Sequence, residues 1–236
     1  MTQGFGMPVR RPAAPAVDDR ALFIRRTYGH LAGALGAFLL LEILLFQTAL
    51  PEAMLEFAAS GRFAWLMILG GFVLVGWIAR SFAAGSRSLG AQYLGLALYV
   101  AAEAVIFVPL IAIALVMTGS DAILYQAAAL TGALFAALTA VAVLSGKDFS
   151  FLRSFLVVGG IIAMGLIVCG AIFGFDLGLA FSGGMIVLAS ASILYDTSKI
   201  LREYDSSQYV GAALELFASV ALLLWYVLRI LMRLRR

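Results

Sequence analysis

Long apolar runs separated by short polar breaks fill the chain after residue 20. A membrane span takes roughly 20 mostly apolar residues, a little fewer or more with tilt. Seven stretches meet that length: 27–50, closed by Pro51; 63–79, closed by Arg80; 91–117; 122–144; 151–173; 177–201; and 208–228. The breaks are Thr118-Gly119-Ser120-Asp121, Ser145-Gly146-Lys147-Asp148, Gly174-Phe175-Asp176 and the polar run from Arg202 to Ser207. Connections this short leave no room for a soluble domain and make consecutive helices antiparallel. Residues 1–20 hold Pro8, Pro12 and Pro15 with Asp18 and Asp19 and no apolar core. They read as a disordered tail and not as a cleavable signal. The expected architecture is an all-α, polytopic membrane protein: a tail over 1–20 and one seven-helix transmembrane domain over 21–236.

Composition strengthens this reading. Of 236 residues, 64% are apolar and 12% charged, against ~45–50% and ~25% in soluble domains. The mean hydropathy is +1.05. A single cysteine, Cys169, and a single histidine, His30, leave no disulfide framework and no His- or Cys-rich metal site, so no cofactor is expected. The pI of 9.2 comes from arginines gathered at span ends, which is orientation chemistry and not a nucleic-acid face. With the N-terminus cytoplasmic, that side holds Arg10, Arg11, Arg20, Arg25, Arg26, Arg80, Arg87, Lys147, Arg153, Lys199 and Arg202. The outer loops hold Arg62, and seven crossings place Arg229, Arg233, Arg235 and Arg236 outside as well. A re-entrant last helix, returning this basic tail to the cytoplasm, is the alternative.

One stretch stands out. Residues 177–195 carry no charge, and Asp196 then appears one turn before Lys199. An acid at such a place is costly unless it meets water, a cation or a proton. Glu42, Glu103 and Glu215 are the other acids inside or bordering spans. Glu42 and Glu103 read as neutral carboxyls bonded to neighbours; Glu103 shares a face with Tyr99 and Ile106, and Pro109 frees a backbone carbonyl nearby. Asp196 and Glu215 lie at similar depth on consecutive helices, with Lys199 and Arg80 near, and read as functional. In general, burial raises a carboxyl pKa, a cation lowers it and a second acid raises one of a pair. Such a pair therefore suits a proton-operated joint between helices. The same oxygens suit a hard cation such as Ca²⁺, with Asp196 and Glu215 as ligands. The small residues Gly29, Gly33 and Gly36, Gly159, Gly160, Gly165 and Gly170, and Gly183 and Gly184 read as sites of close helix packing. His30 reads as a capping or snorkelling side chain, and Trp65, Trp77, Trp225 and Tyr226 as interfacial anchors.

Catalysis is not expected. Tyr195-Asp196 is similar to one motif of intramembrane aspartyl proteases, but the Gly-x-Gly-Asp loop that supplies their second aspartate is missing. Phe181-Ser182-Gly183-Gly184 is not a rhomboid nucleophile motif, and the chain has no phosphate loop or dinucleotide fingerprint.

Four segments together resemble the Bax inhibitor-1 family over residues 20–234. They are Arg25-Arg26-Thr27-Tyr28; Gln126-Ala127 through Thr131 and Phe135 with Lys147-Asp148-Phe149-Ser150-Phe151-Leu152; Ile193-Leu194-Tyr195-Asp196-Thr197; and Ala212-Ala213-Leu214-Glu215-Leu216-Phe217. The resemblance implies seven helices with the C-terminal one central and six around it. It also implies a pH-sensitive Ca²⁺ leak governed by two aspartates, in a bacterial inner membrane. The first aspartate maps to Asp196. The second maps to Ser219, which is not an acid, so either Glu215, one turn earlier on the same face, supplies a substitute carboxylate or this branch has lost the gate. The family's latch arginine is approximately matched by Arg80. The gating set is thus Asp196, Glu215, Ser219, Arg80, Lys199 and Glu103. The expected partners are lipid and Ca²⁺. The alternative function is a non-conducting regulator that binds a membrane protease or other membrane proteins.

Overall fold

A computed structural model describes residues 17–85 and 88–235; Arg10, Arg11, Arg87 and Arg236 lie outside the described residues. Eight helices follow in order: α1 (Val17–Leu45), α2 (Leu50–Ala59), α3 (Arg62–Gly85), α4 (Leu89–Thr118), α5 (Ala122–Ser145), α6 (Leu152–Phe173), α7 (Gly178–Arg202) and α8 (Tyr209–Leu234). Seven of them, all but α2, are long and apolar enough to cross a membrane, and the described residues contain no strand. The protein is an all-helical integral membrane protein.

α1 begins at Val17, inside the stretch expected as a tail; residues 1–16 lie outside the described ones. The first span also stops earlier than Pro51. Thr48 bonds its hydroxyl to the Leu45 carbonyl (2.6 Å) and accepts from the Leu50 N–H (3.2 Å), which replaces helical bonding by a turn. Pro51 then opens α2, where its missing N–H costs nothing. At 10 residues, or ~15 Å, α2 reaches only half of a ~30 Å hydrocarbon core. The C-terminal ends of α4, α5 and α6 are turned by Gly119, Gly146 and Gly174 in the left-handed conformation, φ 61°, 58° and 77°.

The core forms around α8, which packs against α1, α3, α4, α5 and α7. The arrangement departs from six helices around one, since α6 is carried mainly by α7 and α3. Lipid hydrocarbon is as apolar as leucine, so close packing holds these helices together. Edge-on rings join α1, α4 and α8: Phe38 on Phe107 (5.1 Å), Phe107 on Trp225 (5.1 Å) and Tyr99 on Phe217 (6.1 Å). Each such pair contributes about 0.5–1.5 kcal/mol beyond its area. Trp225 and Tyr226 therefore belong to the interior and not to an interfacial belt. The closest backbone approaches are at Gly95, where an added Cβ would lie 2.5 Å from the Ala79 carbonyl, and Gly211, where it would lie 2.9 Å from that of Ala83. Of the glycines expected to pack, Gly159 and Gly170 do so. Gly29, Gly33, Gly36, Gly160, Gly165, Gly183 and Gly184 face open space.

Helix order defines two ends. Arg20 at the start of α1 donates to the carbonyls of Ile200 and Tyr204 at the end of α7, marking the first end. At the second end Arg233 of α8 meets Asp176 in the connection before α7. The last helix runs unbroken from the first end to the second, without the break that the re-entrant alternative expects.

Candidate functional site

The segment Tyr195–Ile200 on α7 is a hub, because neighbouring side chains on a helix diverge by about 100° and reach different partners. Asp196 is buried and its carboxylate accepts a 2.6 Å hydrogen bond from the Ser219 hydroxyl on α8. Thr197 is fully buried beside the hydroxyls of Tyr28 from α1 and Thr139 from α5. Ser198 accepts from the Phe149 N–H in the α5–α6 connection, at 3.1 Å. Lys199 forms an ion pair with Glu215 of α8, 3.2 Å to one oxygen and 3.3 Å to the other.

Since α7 and α8 are antiparallel, the two contacts form successive rungs. Asp196 meets Ser219 deeper in the bundle, and Lys199 meets Glu215 one turn nearer the first end. Arg80 on α3 adds a third wall. Its guanidinium stands 5.5 Å above the Tyr99 ring and donates a long, 3.4 Å bond to the Tyr99 hydroxyl; the charges of Asp196 and Glu215 act on it through space, with no ion pair to either within 4 Å among the described residues. Glu103, buried, lies against that same hydroxyl. The close approach of α3 at Gly95 and Gly211 carries Arg80 into place.

A cleft of about 260 Å³ opens beside these groups, lined by Arg80, Lys199, Glu203, Tyr204, Gln208 and Glu215 among others. Asp196 is not part of its wall. Tyr204 lies between α7 and α8, and burial first, then the Glu215 charge, pushes its phenol well above the ordinary value, so it stays neutral. Lys199 stands 4.9 Å over its ring.

All six residues singled out from the sequence meet here: Asp196, Ser219, Glu215, Lys199 and Arg80 directly, and Glu103 through Tyr99. Their pairing differs from the expectation in one respect. Glu215 does not take the place of the second acid. It is held by Lys199, and Ser219 itself bonds Asp196. Glu42 also departs: its two carboxyl oxygens are buried without a hydrogen-bond partner among the described residues. Gln92 and Tyr204 escaped the sequence reading. The Gln92 amide donates to the Ser207 carbonyl (3.2 Å) and accepts from the Gly211 N–H (3.3 Å), tying α4 to the start of α8. A lone amide in an apolar run and a tyrosine in a polar break were the available signals.

A resident Ca²⁺ needs a richer donor set than this one. That ion takes 6–8 oxygens, yet among the described residues no three His, Cys, Asp or Glu side chains gather. Lys199 neutralises Glu215, and the Arg80 charge acts on both carboxylates through space. The arrangement does not fit a Ca²⁺ held jointly by Asp196 and Glu215.

Fold and site together define a seven-span helical membrane protein with a buried acid joining its central helix to the helix before it. A sequence model of the family described as inhibitor of apoptosis-promoting Bax1 matches residues 20–236, and the chain belongs to that family. It is 34% identical over 116 residues to an uncharacterized membrane protein of Vibrio cholerae, covering 49% of this chain and 52% of that one. It is 30% identical over 113 residues to an uncharacterized protein of Pseudomonas aeruginosa, covering 48% and 50%. The matched stretches span about half the length of each relative.

Proposed function

We propose that the protein is a pH-sensitive cation leak, with Ca²⁺ as the probe cation, whose closed state is held by the joint around Asp196. The observation that carries this reading is the buried Asp196 carboxylate bonded across α7 and α8. The Asp196 charge is tied to α8 through Ser219 and attracts the Arg80 guanidinium of α3 through space. Protonating Asp196 removes that attraction and loosens the seat of α3 against α7 and α8. The first-end cleft is the mouth of the path. The reading involves no catalysis and no resident metal; Ca²⁺ is cargo. The excess of basic residues at the first end supports a cytoplasmic N-terminus by the positive-inside rule, and the bacterial relatives support an inner membrane.

The test is Ca²⁺ flux into liposomes between pH 8 and pH 6. Flux that rises on acidification in the wild type and loses its pH dependence in Asp196→Asn is expected, with Glu215→Gln retaining it at a shifted level. Flux absent at every pH overturns the leak. A second reading, a non-conducting regulator that binds a membrane protease or other membrane proteins, is favoured by Ser219, which leaves the joint with one acid. Recovery of a membrane protease with the detergent-solubilised protein, together with zero flux, decides for it.

A further inference from the structure

A second cleft of about 610 Å³ runs between α1 and α4, away from the joint. Its floor owes its depth to Gly29 and Gly33, at which an added Cβ would meet nothing within 4 Å. Apolar side chains such as Leu41, Leu96 and Val100 line its length. Its rim at the first end is polar and is built across both helices. The His30 ring sits 2.7 Å from the Arg26 carbonyl and 2.7 Å from the Tyr93 hydroxyl, so a ring with its proton on Nδ1 satisfies both. Arg26 stands 5.4 Å over the Tyr209 ring. Arg25 and Arg26 are exposed, and neither has an acidic partner among the described residues.

We propose that this cleft binds an anionic phospholipid, with one acyl chain along α1 and α4 and the phosphate on Arg25 and Arg26. Charge complementarity selects the headgroup, since juxtamembrane arginines attract anionic lipid. Size selects the tail. From Arg25 to Leu41 the groove runs 16 residues, or ~24 Å, the reach of a long acyl chain. A slender acyl chain follows that length between the two helices.

The test is native mass spectrometry of the full-length protein offered equal phosphatidylglycerol and phosphatidylcholine. Wild type retains phosphatidylglycerol selectively. Replacing both cations (Arg25→Gln with Arg26→Gln) lowers that selectivity by about thirtyfold. Gly33→Leu, which fills the groove without touching charge, lowers retention of both lipids and supplies an independent arm should the double variant fold poorly. Excess inorganic phosphate leaves the lipid bound, because the headgroup alone is not the ligand. Equal retention of the two lipids by wild type, an unchanged preference in the double variant, displacement by inorganic phosphate, or a second protein copy occupying lipid-free protein overturns the proposal.

Discussion

Two aspartates are tied to α8, one just before α7 and one within it, and they are opposites. Asp176, at the second end, has 61% of its side chain exposed and faces Arg233 and Arg229. Its bond to Arg233, then to the Gly178 N–H, holds its carboxyl down at about 2. At neutral pH such an exposed pair is ionised, screened by salt and worth little. Asp196, near the first end, is 8% exposed and trades water for the Ser219 hydroxyl, with Lys199 and Arg80 acting on it only through space. A change in proton count there has no solvent to absorb it and must be met by moving protein groups. The same residue type is thus exposed among arginines in one place and buried on a single hydroxyl in the other, and the proposed joint rests on the buried one.

The largest blow to this contrast is Gly95→Val. Its side chain meets the Ala79 carbonyl where a Cβ would already stand at 2.5 Å, which pushes α3 and Arg80 off the joint. A loss of roughly 3 kcal/mol is expected, read as a lower melting temperature in detergent, while the Asp176 clamp stays intact. Next is Ser219→Ala, which leaves Asp196 without its hydroxyl donor. It costs about 1–2 kcal/mol, and melting becomes more pH-dependent than in wild type between pH 6 and 8. Smallest is Asp176→Asn, which shifts melting within about 2 °C at neutral pH and not at all in high salt. Asp176 has a folded value near 2, below the ~3.9 of an unfolded aspartate. Its contribution is therefore full above pH ~4 and disappears as pH falls toward 2. Equal sensitivity of Asp176→Asn and Ser219→Ala to salt would erase the distinction between the two ends.

Much of this was legible in the chain. Span length and polar breaks give seven crossings because the bilayer leaves few alternatives, and Asp196 stands out because a charge in an apolar run is costly. The partner of Glu215 was not legible: 215 and 219 share a face of α8, and only the register of α7 against α8 puts Lys199 opposite one and Asp196 opposite the other. Nor could spacing separate Gly95, which packs on a backbone, from Gly33, which faces a groove, since both are small residues in apolar helices. The end of α1 escaped because Thr48 turns the chain by a side-chain bond that hydropathy does not register.

The central claim is that the proton on Asp196 sets how α3 sits against the rest of the bundle. Electron–electron distance spectroscopy measures this directly, with spin labels at Ser81→Cys on α3 and Ser145→Cys on α5, both exposed, and the exposed native Cys169 replaced by serine. The distance distribution is predicted to shift between pH 8 and pH 6 with Asp196 present and to stay fixed with Asp196→Asn. The same distribution at both pH values, or the same shift in the asparagine variant, would contradict the account.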